Sequence, residues 1–325
     1  MIAITGASGL VGGNLVRALL AQGSPVRALV HRERRALESL NVETASADLT
    51  DPASLRRAFE GAEVVYHLAS AISINMGGWE QIEETNVTGT RNVVEACLDS
   101  GVRRMVYFSS IHAYQQEPLD QTLTEDRQLL TSRDVPPYVR SKAAAELVAR
   151  QAAERGLETV IVIPTAIIGP NDFGPSLLGQ ALQLLAAGRI PALVQGGYDW
   201  VDVRDVVDGA IEAERSAPSG SRYILSGHWR SLRELAEVAC QTSGKPAPWL
   251  TVPIWLAEWF QPVMATLAQI NHAQPLYTQT MLEAMRSNRQ ISSARAARDL
   301  GYAPRPFEDT IGATLAWFET HKAAQ

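Results

Sequence analysis

Short apolar runs alternate with segments of helical periodicity through the first half of this chain. The apolar runs are four to six residues long, as is typical of strands buried on both faces, and they predict strands at 2–5, 26–30, 42–46, 63–68, 104–109 and 159–163. The segments between them predict helices near 10–22, 34–40, 52–60, 79–100 and 137–155. Such alternation is typical of parallel strands joined by helical crossovers, so we predict an α/β fold with a doubly wound parallel sheet.

The pattern becomes less regular after about residue 170, where proline and glycine interrupt it. Further helices are predicted near 177–187, 203–216 and 231–242. We therefore expect a first domain at 1–170, with a segment at about 196–226 returning to its sheet. A smaller, mostly helical C-terminal lobe is expected to come mainly from 171–325 and to cover a substrate.

Net charge and cysteine content argue against several classes of function. The 325 residues carry a formal net charge of −6, so no overall basic field favours nucleic acid or anionic lipid as a partner. Cys97 and Cys240 stand far apart in the chain. Their spacing argues against a disulfide framework and a zinc site, and it is typical of a reducing compartment. We expect no metal and no nucleic-acid partner.

Targeting signals are not apparent in the sequence. The amino terminus has neither a basic region nor a signal-peptide cleavage site, so a cytoplasmic location is expected. The most apolar late stretch, at 252–270, is interrupted by Glu258, Gln261 and Pro262. It therefore lacks the roughly 18 uninterrupted apolar residues of a membrane span. A helix lying in a membrane interface is the alternative for this stretch.

Glycines concentrate in the turn between the first predicted strand and the first predicted helix. Gly6, Gly9 and Gly12 have the spacing G-x-x-G-x-x-G. Unpaired N–H groups and the dipole at a helix N-terminus stabilise a pyrophosphate, and side chains in the turn would block its approach. The turn therefore predicts a dinucleotide site in the first domain. The alternative is a tight turn whose glycines only permit close packing of the helix.

Several segments resemble, in order along the chain, those of one enzyme family. They read TGASGLVG, ADLTD, VVYHLAS, NVTGTRNVVEAC, YFSSIHAY, YVRSK and ARAARDLGYAPR. On these motifs the chain resembles the extended short-chain dehydrogenase/reductases, that is, the NAD-dependent epimerase/dehydratase family. The resemblance covers nearly the whole chain, most strongly 1–170. It implies a Rossmann-type sheet, a nicotinamide dinucleotide cofactor and activity as an NAD(P)-dependent oxidoreductase.

The resemblance also implies which residues contact the cofactor. Asp48 of ADLTD is expected at the adenine, the VVYHLAS strand at the adenine ribose, and Lys142 at the nicotinamide ribose. The full set of expected cofactor-binding residues is Gly6, Ser8, Gly9, Leu10, Val11, Gly12, Arg32, Asp48, Leu49, Leu68, Ala69, Ser70, Tyr138, Lys142 and Pro164.

The second predicted strand ends in basic residues. NAD-specific sites of this kind usually place a carboxylate there, to accept a hydrogen bond from the ribose 2′-hydroxyl. Here His31 and Arg32 take that region, followed by Arg34 and Arg35. Guanidinium groups complement a 2′-phosphate, so we expect NADP(H) to be favoured over NAD(H), with Arg32 as the main contact. The alternative is an ordinary solvated run of charges.

Tyr138 and Lys142 are four residues apart on a predicted helix and so share one face. An ordinary tyrosine titrates near pH 10, and a nearby ammonium is expected to lower the pKa of Tyr138. Ser110 follows the fifth predicted strand, in the loop where the family carries its serine, and it is expected to donate to a developing alkoxide. Ser109 is the neighbouring option. The predicted catalytic residues are Ser110, Tyr138 and Lys142.

Four other polar residues lie in or near the same motifs. Asn86 matches the asparagine of the family and is expected to be structural rather than part of a proton relay. His67 is expected to pack under the cofactor. His112 either faces the substrate or packs within its loop. Asp205 is expected to cap a helix.

The segment VIVIPTAIIGPND at 160–172 bears on the substrate. Family members that act on sugar nucleotides often carry an arginine and an asparagine where this chain has Ile163 and Ala166. The segment looks more like the dihydroflavonol reductase and hydroxysteroid dehydrogenase branch, whose substrates are less polar. Four aromatic residues either form the roof of an apolar pocket or are buried in the core: Trp249, Trp255, Trp259 and Phe260.

Three functions follow as hypotheses. The first is NADPH-dependent reduction of an aldehyde or ketone by hydride transfer, with Tyr138 as the acid. The second is a sugar-nucleotide epimerase or dehydratase with tightly bound NAD, and the third is a dinucleotide-binding regulator without turnover. A homodimer is expected because relatives often pair the helices predicted here near 79–100 and 137–155.

Overall fold

A computed structural model describes residues 1–31, 33–71, 79–259 and 279–321. Within these residues the strands are β1 (Ile2–Thr5), β2 (Val26–Val30), β3 (Glu43–Ser46), β4 (Val64–His67), β5 (Arg104–Phe108), β6 (Glu158–Pro164), β7 (Ala166–Ile168), β8 (Ala192–Val194), β9 (Gly197–Asp202), β10 (Arg222–Leu225), β11 (His228–Ser231) and β12 (Leu250–Val252).

The helices of the same residues are α1 (Leu10–Ala21), α2 (Pro52–Phe59), α3 (Trp79–Glu83), α4 (Gly89–Asp99), α5 (Pro137–Glu154), α6 (Leu177–Ala186), α7 (Val203–Ser216), α8 (Leu232–Ser243), α9 (254–259), α10 (Gln279–Ala284), α11 (Ala294–Leu300) and α12 (Phe307–His321). A π-helical turn, Glu84–Thr88, joins α3 to α4, and short 3₁₀ turns occupy Arg35–Leu37 and Ile111–Ala113. None of the helices in the described part of the chain is long and apolar enough to cross a membrane.

Seven parallel strands form the central sheet in the order β10-β6-β5-β4-β1-β2-β3. The order reverses direction between β1 and β4, so a crevice opens at the carboxyl ends of the central strands, where such sheets bind ligands. One face of the sheet packs on α2, α4 and α5, and the other on α1 and α7. This architecture confirms the predicted α/β doubly wound, Rossmann-type fold.

The remaining elements build a third hydrophobic core beside the sheet. Two small sheets, β11-β9-β7 and β12-β8, pack with α6, α8 and α12 around residues such as Leu182, Trp200 and Leu235. The sequence pattern did not predict these short strands. Of the segment 196–226, α7 and β10 join the layers of the main sheet, whereas β9 belongs to the smaller one.

Two local predictions were wrong. The helix expected at 34–40 is a single 3₁₀ turn, in which Ala36 and Leu37 are buried while the charged residues around them are exposed. Asp205 does not cap α7, because the carboxylate of Asp202 accepts the capping hydrogen bond from the Arg204 N–H at 2.8 Å. The Asp205 carboxylate instead accepts hydrogen bonds from the backbone N–H and the guanidinium of Arg305.

Tyr66, in β4, carries a fully buried hydroxyl that has no hydrogen-bond partner among the described residues. An unsatisfied buried polar group costs about 1–3 kcal/mol. We therefore expect Tyr66→Phe to raise the free energy of unfolding by about 1 kcal/mol, measured by urea denaturation. A loss of stability of that size would contradict the absence of a partner.

Candidate active site

One large cavity of about 790 Å³ opens at the carboxyl ends of β1, β4, β5 and β6. It extends from the glycine turn to loops and helices of the C-terminal part. The sequence-predicted residues that line it are Gly6, Gly9, Leu10, Val11, Gly12, Leu68, Ala69, Ser70, Ser110, Tyr138, Lys142 and Pro164. The structure therefore brings together residues from five segments that are far apart in the chain.

The three glycines of the turn serve two different purposes. Gly6 has a φ of +71°, and a Cβ there would lie 2.7 Å from the Ala69 nitrogen. A Cβ on Gly12 would lie 2.1 Å from the Gly6 carbonyl oxygen. Gly6 and Gly12 are thus required by close packing of the backbone, as in the alternative interpretation. A Cβ on Gly9 would have only an ordinary 3.5 Å contact, with the Gly6 oxygen, so Gly9 is the glycine whose free side suits a ligand.

The start of α1 fits a pyrophosphate. Gly9 is the N-cap residue and provides no side-chain hydrogen bond to the helix. Leu10, Val11 and Gly12 form its first turn and line the cavity. The first N–H groups of a helix lack partners within the helix and carry partial positive charge. The residues present therefore fit the phosphates of a dinucleotide.

Ser110, Tyr138 and Lys142 meet in the same cavity. Ser110 begins the 3₁₀ turn after β5, and its Oγ accepts the His112 N–H at 3.3 Å. The Ser110 hydroxyl lies close enough to the Tyr138 phenol to lower its pKa as a hydrogen-bond partner. Lys142 Nζ donates to the Phe108 carbonyl oxygen at 2.7 Å and lies 5.2 Å from the centre of the Tyr107 ring. The hydroxyl, phenol and ammonium therefore lie in one cavity, with Tyr138 and Lys142 one turn apart on α5.

Burial dominates the pKa values of these groups. It lowers the pKa of Lys142 to about 8, against an opposing effect of the Glu146 carboxylate. It raises the pKa of Tyr138, opposed by the hydrogen bond with Ser110. The expectation that a nearby ammonium would lower the pKa of Tyr138 is wrong for this structure, because burial raises that pKa. A high pKa keeps the phenol protonated at neutral pH, which is the form that can donate a proton.

The carboxylate of Glu146, one turn after Lys142 on α5, binds side chains next to Ser110, Tyr138 and Lys142. The sequence pattern did not predict it. Its side chain is fully buried and accepts hydrogen bonds from Ser109 Oγ, Tyr114 Oη and the guanidinium of Arg150. Because Ser109 donates to Glu146, the geometry favours Ser110 as the serine available to a ligand. The spacing could have predicted it, because Glu146 is four residues after Lys142 and so lies on the same helix face as Tyr138 and Lys142.

Asn86 and His67 are engaged in structural contacts. Asn86 Oδ1 accepts from the Ala71 N–H at 2.7 Å, and its Nδ2 donates to Ser141 Oγ at 2.9 Å. The His67 ring lies between the hydroxyls of Thr5 and Thr90, at 2.8 and 3.0 Å. Burial lowers the pKa of His67 to about 3, so the ring is neutral at physiological pH. Both side chains hold together the loops and strands beneath the cavity.

Three of the expected cofactor contacts do not line the cavity: Ser8, Asp48 and Leu49. The Asp48 carboxylate accepts from the Thr50 N–H at 2.8 Å and lies 3.4 Å from His31 Nδ1. Arg32 lies outside the described residues. The Asp48 and His31 side chains are about half exposed, and they follow β3 and β2, which lie at one end of the sheet.

The proposed aromatic roof is wrong for the tryptophans. Trp249, Trp255 and Trp259 are 83%, 65% and 72% exposed, and none of them lines the cavity. They are not buried in the core either. Phe260 lies outside the described residues. The covering side of the cavity instead comes from α6 with the loop before it and from α10, through residues such as Leu177, Leu178 and Met281.

Metal-ligand clusters are absent from the described part of the chain: no three His, Cys, Asp or Glu side chains there could hold an ion together. Cys97 and Cys240 are both free and buried. Burial raises the pKa of the Cys240 thiol.

A doubly wound parallel sheet with a glycine turn and a cavity at its switch point defines a dinucleotide-binding α/β protein. The chain belongs to the NAD dependent epimerase/dehydratase family, whose model matches residues 2–225. It is an NAD(P)-dependent oxidoreductase of the extended short-chain dehydrogenase/reductase type, and its cofactor is a nicotinamide dinucleotide.

Known proteins are similar to this chain along nearly its whole length. "Sterol demethylase protein B" of Methylococcus capsulatus is 35% identical over 319 residues, which cover 97% of each protein. "Putative dihydroflavonol 4-reductase" of Synechocystis is 31% identical, covering 98% of this chain and 94% of the relative. The crystal structure of gox2253 is 32% identical with a TM-score of 0.85, covering 99% of this chain and 98% of that one.

Proposed function

We propose that this protein is an NADPH-dependent reductase of neutral, largely apolar aldehydes or ketones. The observation that carries the proposal is the grouping of Ser110, Tyr138 and Lys142 in one cavity with the glycine turn and the start of α1. The similarity to a relative named as a dihydroflavonol 4-reductase supports a carbonyl substrate.

The three side chains have separate tasks in this reaction. The Ser110 hydroxyl donates a hydrogen bond to the substrate carbonyl oxygen and so stabilises the negative charge that develops on it. The Tyr138 phenol gives its proton to the same oxygen. The Lys142 ammonium, held by the Phe108 carbonyl, uses its remaining N–H groups for the nicotinamide ribose. The bound dinucleotide would supply the hydride to the carbonyl carbon.

The charges around the cavity support a neutral substrate. Among the described residues that line it, Lys142 is the single lysine or arginine, whereas Asp172 and Glu283 are carboxylic acids. A sugar nucleotide would bring a second diphosphate, for which proteins commonly use guanidinium groups. Ile163, where relatives of that class often have arginine, is fully buried in β6. These features disfavour the sugar-nucleotide epimerase or dehydratase. The retained phenol of Tyr138 disfavours a non-catalytic regulator.

We also propose a cytoplasmic homodimer with no nucleic-acid partner. The outer faces of α4 and α5 are the expected contact, by resemblance to the family. Leu147 on α5 is 38% exposed and would lie on that face.

A panel of aldehydes and ketones tests the proposed reaction. Each compound is mixed with purified protein and either NADPH or NADH, and the loss of nicotinamide absorbance is followed. Consumption of NADPH with a carbonyl compound supports the reductase. Tightly bound NAD in the purified protein, with no consumption of added NADPH, would support the epimerase or dehydratase instead.

Cofactor preference gives a separate prediction. Charge-assisted hydrogen bonds contribute about 1.5–3 kcal/mol, so Arg32→Asp is expected to raise KM for NADPH by roughly 10- to 100-fold while KM for NADH changes little. Arg57→Asp on the exposed face of α2 is the matched control, since it changes the net charge equally. Equal effects of the two variants on NADPH would contradict a 2′-phosphate contact at Arg32.

A further inference from the structure

His112 lines the cavity two residues beyond Ser110. Its imidazole forms no hydrogen bond with any residue in the described ranges, and neither ring nitrogen is a buried atom without a partner. Both ring nitrogens therefore retain accessible surface, although the residue is partly buried. This combination is unusual for a histidine that merely packs within its loop.

The neighbouring polar side chains of the cavity are already engaged. Gln116 Nε2 donates to the carbonyl oxygens of Ile111 and Tyr114, at 2.9 and 2.8 Å. Thr165 Oγ1 donates to Asp199 at 2.7 Å, and Ser176 Oγ donates to Asp172 at 2.8 Å. His112 thus differs from these side chains in having its whole hydrogen-bonding capacity available to a ligand.

We propose that His112 is a specificity-determining residue that binds a second oxygen of the substrate, beside the carbonyl that is reduced. The Cα atoms of Ser110 and His112 are at most about 7 Å apart, so one small molecule reaches both side chains. The substrate class is then a hydroxy-ketone or a diketone rather than a simple ketone. This inference rests on the proposed reductase function and narrows its substrates.

The protonation state of His112 suits this task. Burial lowers the pKa of His112 to about 4, so the ring is neutral at physiological pH. A neutral imidazole has one N–H donor and one acceptor nitrogen, and so it can bind either a hydroxyl or a carbonyl group. It also adds no positive charge to the cavity, where Lys142 is the single lysine or arginine among the described lining residues.

Matched ketones test the inference. Cyclohexanone is compared with 2-hydroxycyclohexanone and 3-hydroxycyclohexanone, using NADPH and the wild-type, His112→Leu, His112→Asn and His112→Gln proteins. We expect His112→Leu to lower kcat/KM for the preferred hydroxy-ketone roughly tenfold, through KM, and for cyclohexanone less than twofold. At least one of the two amide variants should recover most of the loss, because its carboxamide can replace a ring nitrogen.

Each outcome has a definite consequence. His321→Leu, on α12 and outside the cavity, is the control and should leave all kcat/KM values unchanged. Equal losses for cyclohexanone and the hydroxy-ketones in His112→Leu would overturn the role of His112 while leaving the reductase in place. No turnover of any ketone by the wild-type protein, with either nucleotide, would contradict the proposed reductase and this inference together.

Discussion

Replacing Tyr138 by phenylalanine is expected to lower kcat for carbonyl reduction by about 10³-fold, since a positioned general acid contributes about 10²–10⁴-fold to a rate. The variant loses the phenolic hydroxyl beside Ser110 while it keeps the ring. The developing alkoxide would then have to take its proton from water. The dissociation constant of NADPH should change less than twofold, because the glycine turn and Lys142 are unaltered.

The measurements are initial rates with the best carbonyl compound of the panel and titration of NADPH fluorescence. Tyr66→Phe is the matched control, because it removes the same hydroxyl from a buried tyrosine that does not line the cavity. It should retain full activity. Activity of Tyr138→Phe close to that of the wild type would eliminate Tyr138 as the acid, and a large loss of NADPH affinity would make it a binding residue.

The fold could be predicted from the sequence because its central strands are short, apolar and separated by amphipathic helices. β1, β2 and β5 are buried nearly throughout, and most of their residues are apolar. The strands of the smaller sheets gave no such signal. β11 is half-buried along its length, and β7 and β8 have only three residues each. Their pairing depends on contacts between distant segments, which a local pattern does not contain.

The candidate site was predictable where spacing along the chain decides the geometry. Tyr138 and Lys142 share a helix face because they are four residues apart on one helix, and this does not depend on their neighbours. Gly6 likewise precedes a helix whether or not a ligand binds there. The partners of these groups could not be predicted in the same way. That Lys142 donates to Phe108, and that burial raises the pKa of Tyr138, follow from the packing of α5 in the folded protein. The exposure of the tryptophans near α9 likewise depends on tertiary structure.

Loss of Glu146 should strongly lower the free energy of unfolding. Glu146→Ala removes a fully buried carboxylate and leaves the Ser109 and Tyr114 hydroxyls and the Arg150 guanidinium without their acceptor. Removing one partner of a buried ion pair typically costs 3–5 kcal/mol, so we expect the free energy of unfolding to fall by about 4 kcal/mol. Urea denaturation followed by circular dichroism measures this loss. Glu146→Gln, which keeps an acceptor oxygen, should lose less.

The control is a glutamate in an ion pair of similar geometry at the surface. Glu95 binds Arg155 at 2.5 and 2.7 Å, but both side chains are more than two-fifths exposed. Water and salt screen such a pair, so the free energy of unfolding of Glu95→Ala should be close to that of the wild type. Each variant loses a glutamate that is bonded to an arginine. A larger loss of unfolding free energy in Glu146→Ala than in Glu95→Ala is therefore due to the burial of Glu146. Equal and small losses in both would mean that the hydroxyls and the guanidinium find other acceptors, and that Glu146 does not fix the position of α5 against β5.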